Sequence, residues 1–115
     1  MLLFRRPPYG SVYPAEGLRV AKAILAFQVP LRVVFIEDGV YNLVRGQSGG
    51  ELGFGDLGAA FAELSVMGLG ELCVVGVDLE ARGLRLEELV GAPIRIITPE
   101  ELRGMIEEAR AVVPF

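Results

Sequence analysis

Two nearly unbroken apolar runs, Leu31–Ile36 and Leu72–Val77, constrain this chain more than any other feature. A strand with one wet face alternates apolar and polar residues, and these runs do not. They fit strands buried on both faces, inside a parallel sheet that helices cover from both sides. The rest of the chain must therefore supply those helices and the outer strands.

The remaining pattern fits that demand. Leu2–Arg6 reads as a first strand, and Ala15–Phe27 as a helix. Asp38–Arg45 suits a short helix with Asp38 at its N-cap, and Asp56–Met67 a further helix. Ile94–Ile97 follows as a strand, Pro99–Arg110 as the last helix, and Val112–Phe115 as a terminal edge strand. The alternation predicts an α/β fold, a small flavodoxin-like and mostly parallel sheet of four or five strands with helices on both faces. At 115 residues, positions 1–115 are expected to form a single domain that buries a core without disulfides.

The helices are not alike. Thr98-Pro99-Glu100-Glu101 supplies an N-cap, a proline at the first helical position and a capping-box glutamate. Leu102, Met105, Ile106 and Ala109 then fall on one face, with charges opposite. Asp56–Met67, by contrast, has only Asp56, Glu63 and Ser65 as polar positions. Ala15–Phe27 confines Glu16, Arg19 and Lys22 to one stripe. So small a domain has too little interior to surround both, and the expectation is a dimer, trimer or hexamer in which neighbouring subunits cover them. A membrane is the other reading of 52% hydrophobic residues. Leu57 to Leu69 is too short to span one and is broken by Glu63 and glycines. The start Met-Leu-Leu-Phe-Arg-Arg lacks the order of a signal peptide. A cytoplasmic protein is expected, with no membrane partner.

Composition narrows the chemistry. With no histidine, Ser-His-Asp and Cys-His catalysis and His-based metal sites are excluded. One cysteine excludes an internal disulfide and cannot hold a zinc or iron–sulfur site alone. The net charge of −4 and the absence of any basic block beyond Arg5-Arg6 argue against direct nucleic-acid binding. No cofactor and no metal is expected.

Three segments invite a functional reading. Gly53-x-Gly55-x-x-Gly58 matches a dinucleotide fingerprint by letter, but no strand directly precedes it, so a loop whose Gly58 allows close packing explains it better. Tyr9 and Gly10 follow the first strand, and Asp38 and Gly39 the second, at the carboxyl edge where α/β sheets place ligands. Tyr9, Gly10, Asp38 and Gly39 are thus candidate ligand-binding residues. The alternative is that Asp38 caps a helix, Gly39 allows close packing and Glu37 is solvated. Cys73 is the candidate nucleophile. Its neighbours Leu72 and Val74 and the nearby Glu71 fit a buried thiol acting as a small hydrophobe at least as well.

The order Arg6-Pro7-Pro8-Tyr9-Gly10-Ser11, a helix opening at Ala15-Glu16-Gly17-Leu18, the run from Leu31 to Gln47 and the segment Leu72-Cys-Val-Val-Gly-Val-Asp-Leu-Glu-Ala-Arg-Gly-Leu84 together resemble the DsrE/DsrF family of sulfur-relay proteins, the DsrF/TusC branch most closely. The resemblance covers most of the chain. It implies a place in complexes that pass persulfide sulfur between cysteine-bearing proteins, for tRNA thiolation or dissimilatory sulfur metabolism. The family's reactive cysteine precedes an Arg-Gly pair; counted back from Arg82-Gly83, its position is Val75 here. The resemblance therefore implies a non-catalytic structural partner of DsrE/TusD-like and DsrH/TusB-like chains, in a hetero-oligomer or a homo-oligomer. Two alternatives stay open: a homo-oligomeric sulfurtransferase using Cys73, and a small-ligand binding module at the Tyr9/Asp38 edge.

Overall fold

The computed structural model of the protein describes residues 1–48 and 55–115. Five strands form one sheet in the order β4-β3-β2-β1-β5: β1 Leu2–Phe4, β2 Val33–Phe35, β3 Leu72–Val75, β4 Ile94–Ile97 and β5 Val113–Pro114. Every pairing is parallel. The two apolar runs lie inside the sheet, and all of β2 and β3 is buried. The Cα radius of gyration, 13.1 Å, is that of a packed chain of this length.

The order of the connections explains the layering. From β1 to β4 the chain steps one way across the sheet, through helix α1 (Tyr13–Ala26), a 3-10 helix (Glu37–Leu43), α2 (Leu57–Glu63) and α3 (Gly76–Ala81). Leu18, Ala21 and Leu25 of α1 and Leu57 and Phe61 of α2 pack with Leu2, Phe4, Val33, Phe35, Leu72 and Val74 on one face. The return to β5 runs through α4 (Pro99–Glu108), whose Met105 packs with Val34, Cys73, Val75 and Ile97 on the other face.

Aromatic rings centre the first face. Phe4 stacks on Phe35 at 5.1 Å and on Phe115 at 5.6 Å, while Phe61 meets Phe4 and Phe35 edge-on at 4.9 and 5.0 Å. Two glycines make room. A side chain at Gly17 would overlap the Phe4 ring, and one at Gly39 would overlap the Phe4 carbonyl. Gly39 therefore lets the 3-10 helix lie directly on the end of β1.

Several boundaries differ from expectation for local reasons. β3 stops at Val75 rather than Val77, because Gly76 lies against Ile96 and starts α3. The expected Asp56–Met67 helix starts with Asp56 as its N-cap, accepting from the Ala59 N–H at 3.0 Å. It then loosens into a π-helical turn at Ser65–Leu69, where Gly68 takes a φ of 110°. In α4 the predicted capping box is present, Thr98 and Glu101 each accepting the other's N–H at 3.1 and 2.8 Å. Its outer residue Ile106 stays exposed, so the buried stripe is narrower than the pattern implied.

Candidate functional site at the carboxyl edge

A parallel sheet brings the carboxyl ends of all its strands to one edge, and here three of those ends carry polar side chains. Arg5 follows β1, Glu37 and Asp38 follow β2, and after β3 come Asp78 on α3 and Arg82 at its C-cap.

These residues form one connected network. The Arg82 Nε–H donates to Asp38 Oδ1 at 2.9 Å, and its Nη1 donates to the Asp78 carbonyl at 3.1 Å. Asp78 Oδ2 accepts the Glu37 backbone N–H at 2.8 Å. Glu37 in turn pairs with Arg5 at 3.3 Å. Its φ of 51° is the left-handed region that a non-glycine residue rarely adopts, and the Asp78 carboxylate pins its amide there.

The expectation that Asp38 caps the helix is corrected by this network. No side chain of the 3-10 helix's own N-cap, Ile36, satisfies its amides, and the group that binds one of them is Asp78, from α3. Asp38 is instead the partner of Arg82. Glu37 is half-exposed and ion-paired rather than simply solvated.

The other candidates have different partners. The Tyr9 hydroxyl donates to the Gly55 carbonyl at 3.0 Å and accepts from the Leu57 N–H at 3.4 Å, so it ties the loop after β1 to the start of α2. Gly10 is exposed, and Gly39 serves close packing. Among the described residues no hydrogen bond joins Tyr9 to Asp38, whose partner is Arg82. Gly58 packs against the Val44 carbonyl, Val90 and Gln47, whereas Gly53 of the fingerprint lies outside the described residues.

Cys73 lies one strand-repeat below the edge. It is 5% exposed, packed with Val34, Val75, Ile97 and Met105. Burial pushes its pKa up first, and Glu71 adds to that rise against a smaller opposing pull from Arg95 and Arg32. The thiolate form is therefore disfavoured. Val75, where the resemblance places a carrier cysteine, is 3% exposed.

Asn42 and Gln47 were not singled out in the sequence. Asn42 is wholly buried, and its Nδ2 donates to the Arg6 and Gly39 carbonyls, both at 2.8 Å. That pegs the loop after β1 to the 3-10 helix. Gln47 Nε2 donates to the carbonyls of Tyr41, Asn42 and Val44, closing the other end of that helix. A lone asparagine two residues after an apolar valine was the available signal, and it is weak. Among the described residues no cluster of three or more acidic, cysteine or histidine side chains is arranged to hold a metal, and no helix is long and apolar enough to cross a membrane.

Comparison with known proteins places this geometry among relatives. A family model described as "DsrE/DsrF-like family" matches residues 1–115. The intracellular sulfur oxidation protein DsrF of Allochromatium vinosum is 34% identical over 108 residues, covering 93% of this chain and 79% of that protein. The TusC homolog of Pseudomonas aeruginosa is 28% identical over 113 residues, covering 98% of this chain and 94% of its own. The crystal structure of the ychN protein from E. coli matches with a TM-score of 0.84 at 25% identity, covering 99% of this chain and 97% of the other.

Proposed function

This chain belongs to the DsrE/DsrF-like family, and we propose that it works as a DsrF/TusC-like subunit of a sulfur-relay complex, positioning a sulfur-carrying chain without carrying sulfur itself. The observation that supports this most is the dry end of β3. Val75 stands where the resemblance sets the carrier cysteine, and the one thiol, Cys73, is 5% exposed with a raised pKa. A persulfide carrier needs a partly exposed, readily ionised thiol.

The outer surface favours a subunit role. Phe27 and Val66 are 82% and 86% exposed, and Val12, Tyr13 and Val20 also face outward along the α1 side. Apolar side chains displayed in such numbers mark surfaces that partners cover. On this reading, residues 1–115 act as one DsrE/DsrF-like unit, with DsrE/TusD-like and DsrH/TusB-like chains as the partners and the cytoplasm as the setting.

Incubation with a cysteine desulfurase and cysteine, followed by intact-mass measurement, tests the reading. The expected result is no added sulfur on this chain, alone or beside a cysteine-bearing partner that does gain one. A stoichiometric gain of one sulfur atom, lost in Cys73→Ala, overturns it in favour of a sulfurtransferase using Cys73. Light scattering supplies the second arm: a monomer near 12.4 kDa that assembles with no relay chain also counts against it.

A further inference from the structure

The relay reading leaves one part of the carboxyl edge without a role. The strand order steps from β1 through β2 and β3 to β4, then returns to place β5 on the other side of β1. The direction of winding therefore reverses between β1 and β5. In open α/β sheets, the crevice outside the carboxyl ends at such a reversal is where ligands bind. A cleft of about 340 Å³ lies there, lined by Arg5 and Arg6 after β1, Tyr13 of α1, Glu37 after β2 and Pro114 of β5.

We propose that this cleft is a binding site for a small tetrahedral oxyanion, of the sulfate or phosphate class, with Arg5 and Arg6 as its ligands. This goes beyond the relay reading and shares only Tyr13 with the residues on which that reading rests. Three features of the cleft carry it.

The first is charge. Two guanidinium groups face one carboxylate in the lining, on a chain whose net charge is −4. The second is the state of the arginines. Arg6 is held over the Tyr13 ring, 3.9 Å from its centroid, and among the described residues it joins no ion pair. A guanidinium held over a ring keeps its edge N–H groups open to an anion. Arg5 directs both Nε and Nη2 to the single oxygen Oε2 of Glu37, at 3.4 and 3.3 Å. Charge-assisted pairs run nearer ~2.8 Å and match the arginine fork with two oxygens. Glu37 therefore occupies Arg5 loosely, as a placeholder that a multi-oxygen anion displaces.

The third feature is that the placeholder is itself fixed. Asp78 holds the Glu37 amide in its left-handed conformation, and the buried Asn42 holds the Arg6 carbonyl at 2.8 Å. The backbone under both charges is thus anchored before any anion arrives. A dianion with oxygens on several sides can meet Arg5 and Arg6 together, whereas a planar carboxylate of ordinary size satisfies one fork.

Isothermal titration of the full chain, in whatever assembly it forms, tests the site with sodium sulfate and sodium phosphate at constant ionic strength set by sodium chloride. The expected result is saturable binding of one anion per chain, with acetate at least tenfold weaker. Arg5→Gln and Arg6→Gln should each weaken binding about tenfold or more, the scale of a lost charged hydrogen bond. Glu37→Gln, which removes the internal competitor, should tighten it about threefold. Circular dichroism checks that each variant is folded, and Arg6→Lys stands in if Arg6→Gln is not; it should weaken binding less than tenfold because the charge remains. A heat that follows ionic strength alone, no saturation at millimolar sulfate or phosphate, unchanged affinity in the arginine variants, or no gain in Glu37→Gln each overturns the proposal.

Discussion

The carboxyl edge of the sheet has a dry end and a wet end. At the end of β3, Cys73 and Val75 are buried among Val34, Ile97 and Met105. At the ends of β2 and β1, one and two strands away, Arg5, Glu37 and Asp38 are exposed and tied together through Arg82 and Asp78. Parallel topology sets both regions on the same edge, so topology alone does not decide where chemistry occurs. What decides is desolvation. A thiol in an apolar layer is held neutral, whereas guanidinium and carboxylate groups at the rim stay in water, within reach of a ligand or partner.

The sharpest way to break that contrast is to disturb the joint on which the wet end stands. Gly39 lies against the Phe4 carbonyl with no room for a methyl group, and the contact is with backbone, which cannot rotate aside. Gly39→Ala must push the 3-10 helix away from β1 and shift Glu37 and Asp38 with it. We expect a loss of about 3 kcal/mol in urea unfolding, the upper range for overpacking. A loss below about 1 kcal/mol would show that the helix is not seated as described.

The dry end is tested by its thiol. Alkylation of Cys73 in the native protein should run at least about a hundredfold slower than in urea-unfolded chain, because reaction waits for opening. The pH dependence has a definite sign. The folded-state pKa is raised above the ordinary 9.0, so the folded chain keeps its proton where the unfolded chain has lost it. The stability from this group is complete below that ordinary value and declines as pH rises from there through the folded pKa. Cys73→Ala should lack that decline. Fast alkylation at neutral pH, or matching pH profiles for the two proteins, would mean that the end of β3 is wet after all.

How much of this contrast was legible in the sequence differs by region. The dry end was readable because burial on both faces leaves a continuous apolar run, and Leu72–Val75 is one. The cap at Thr98 was readable because cap and amide lie three residues apart. The wet end was read only in part. Local pattern makes Asp38 a helix cap. The contacts that correct this join residues 41 and 44 positions apart, a separation that no local pattern encodes. Arg5 and Arg6 were judged too few for nucleic acid, which is a different question from whether two arginines suit one anion. Tyr13 fell before the expected start of its helix, so its place beneath Arg6 could not be seen.

A smaller effect sharpens the wet side. Asp78 accepts the strained Glu37 amide and lies 3.8 Å from Arg82 Nη1, with both side chains about four-fifths buried by their exposures of 23% and 21%. Asp78→Ala should cost about 1–2 kcal/mol, the usual loss of an amide cap and a charged hydrogen bond. Asp78→Asn keeps an oxygen for the amide and should recover roughly half of that loss. If both variants cost equally, the ion pair and not the cap is what holds the edge.

The smallest expected effect separates stability from function at the same residue. Glu37 and Arg5 are half-exposed, at 51% and 53%, and their contact is long. Exposed pairs of that kind contribute little, since solvent screens them and ordering two long side chains costs entropy. Glu37→Gln should therefore change urea stability by less than about 0.5 kcal/mol. Its backbone stays pinned by Asp78, because the amide and not the carboxylate makes that bond. The same substitution is expected to tighten anion binding in the neighbouring cleft. Near-neutral stability with altered affinity would make Glu37 a residue of the rim rather than of the fold. A loss above about 1 kcal/mol would instead make the Arg5–Glu37 pair a structural strut, and the wet end of the edge would then be built for stability rather than for a ligand.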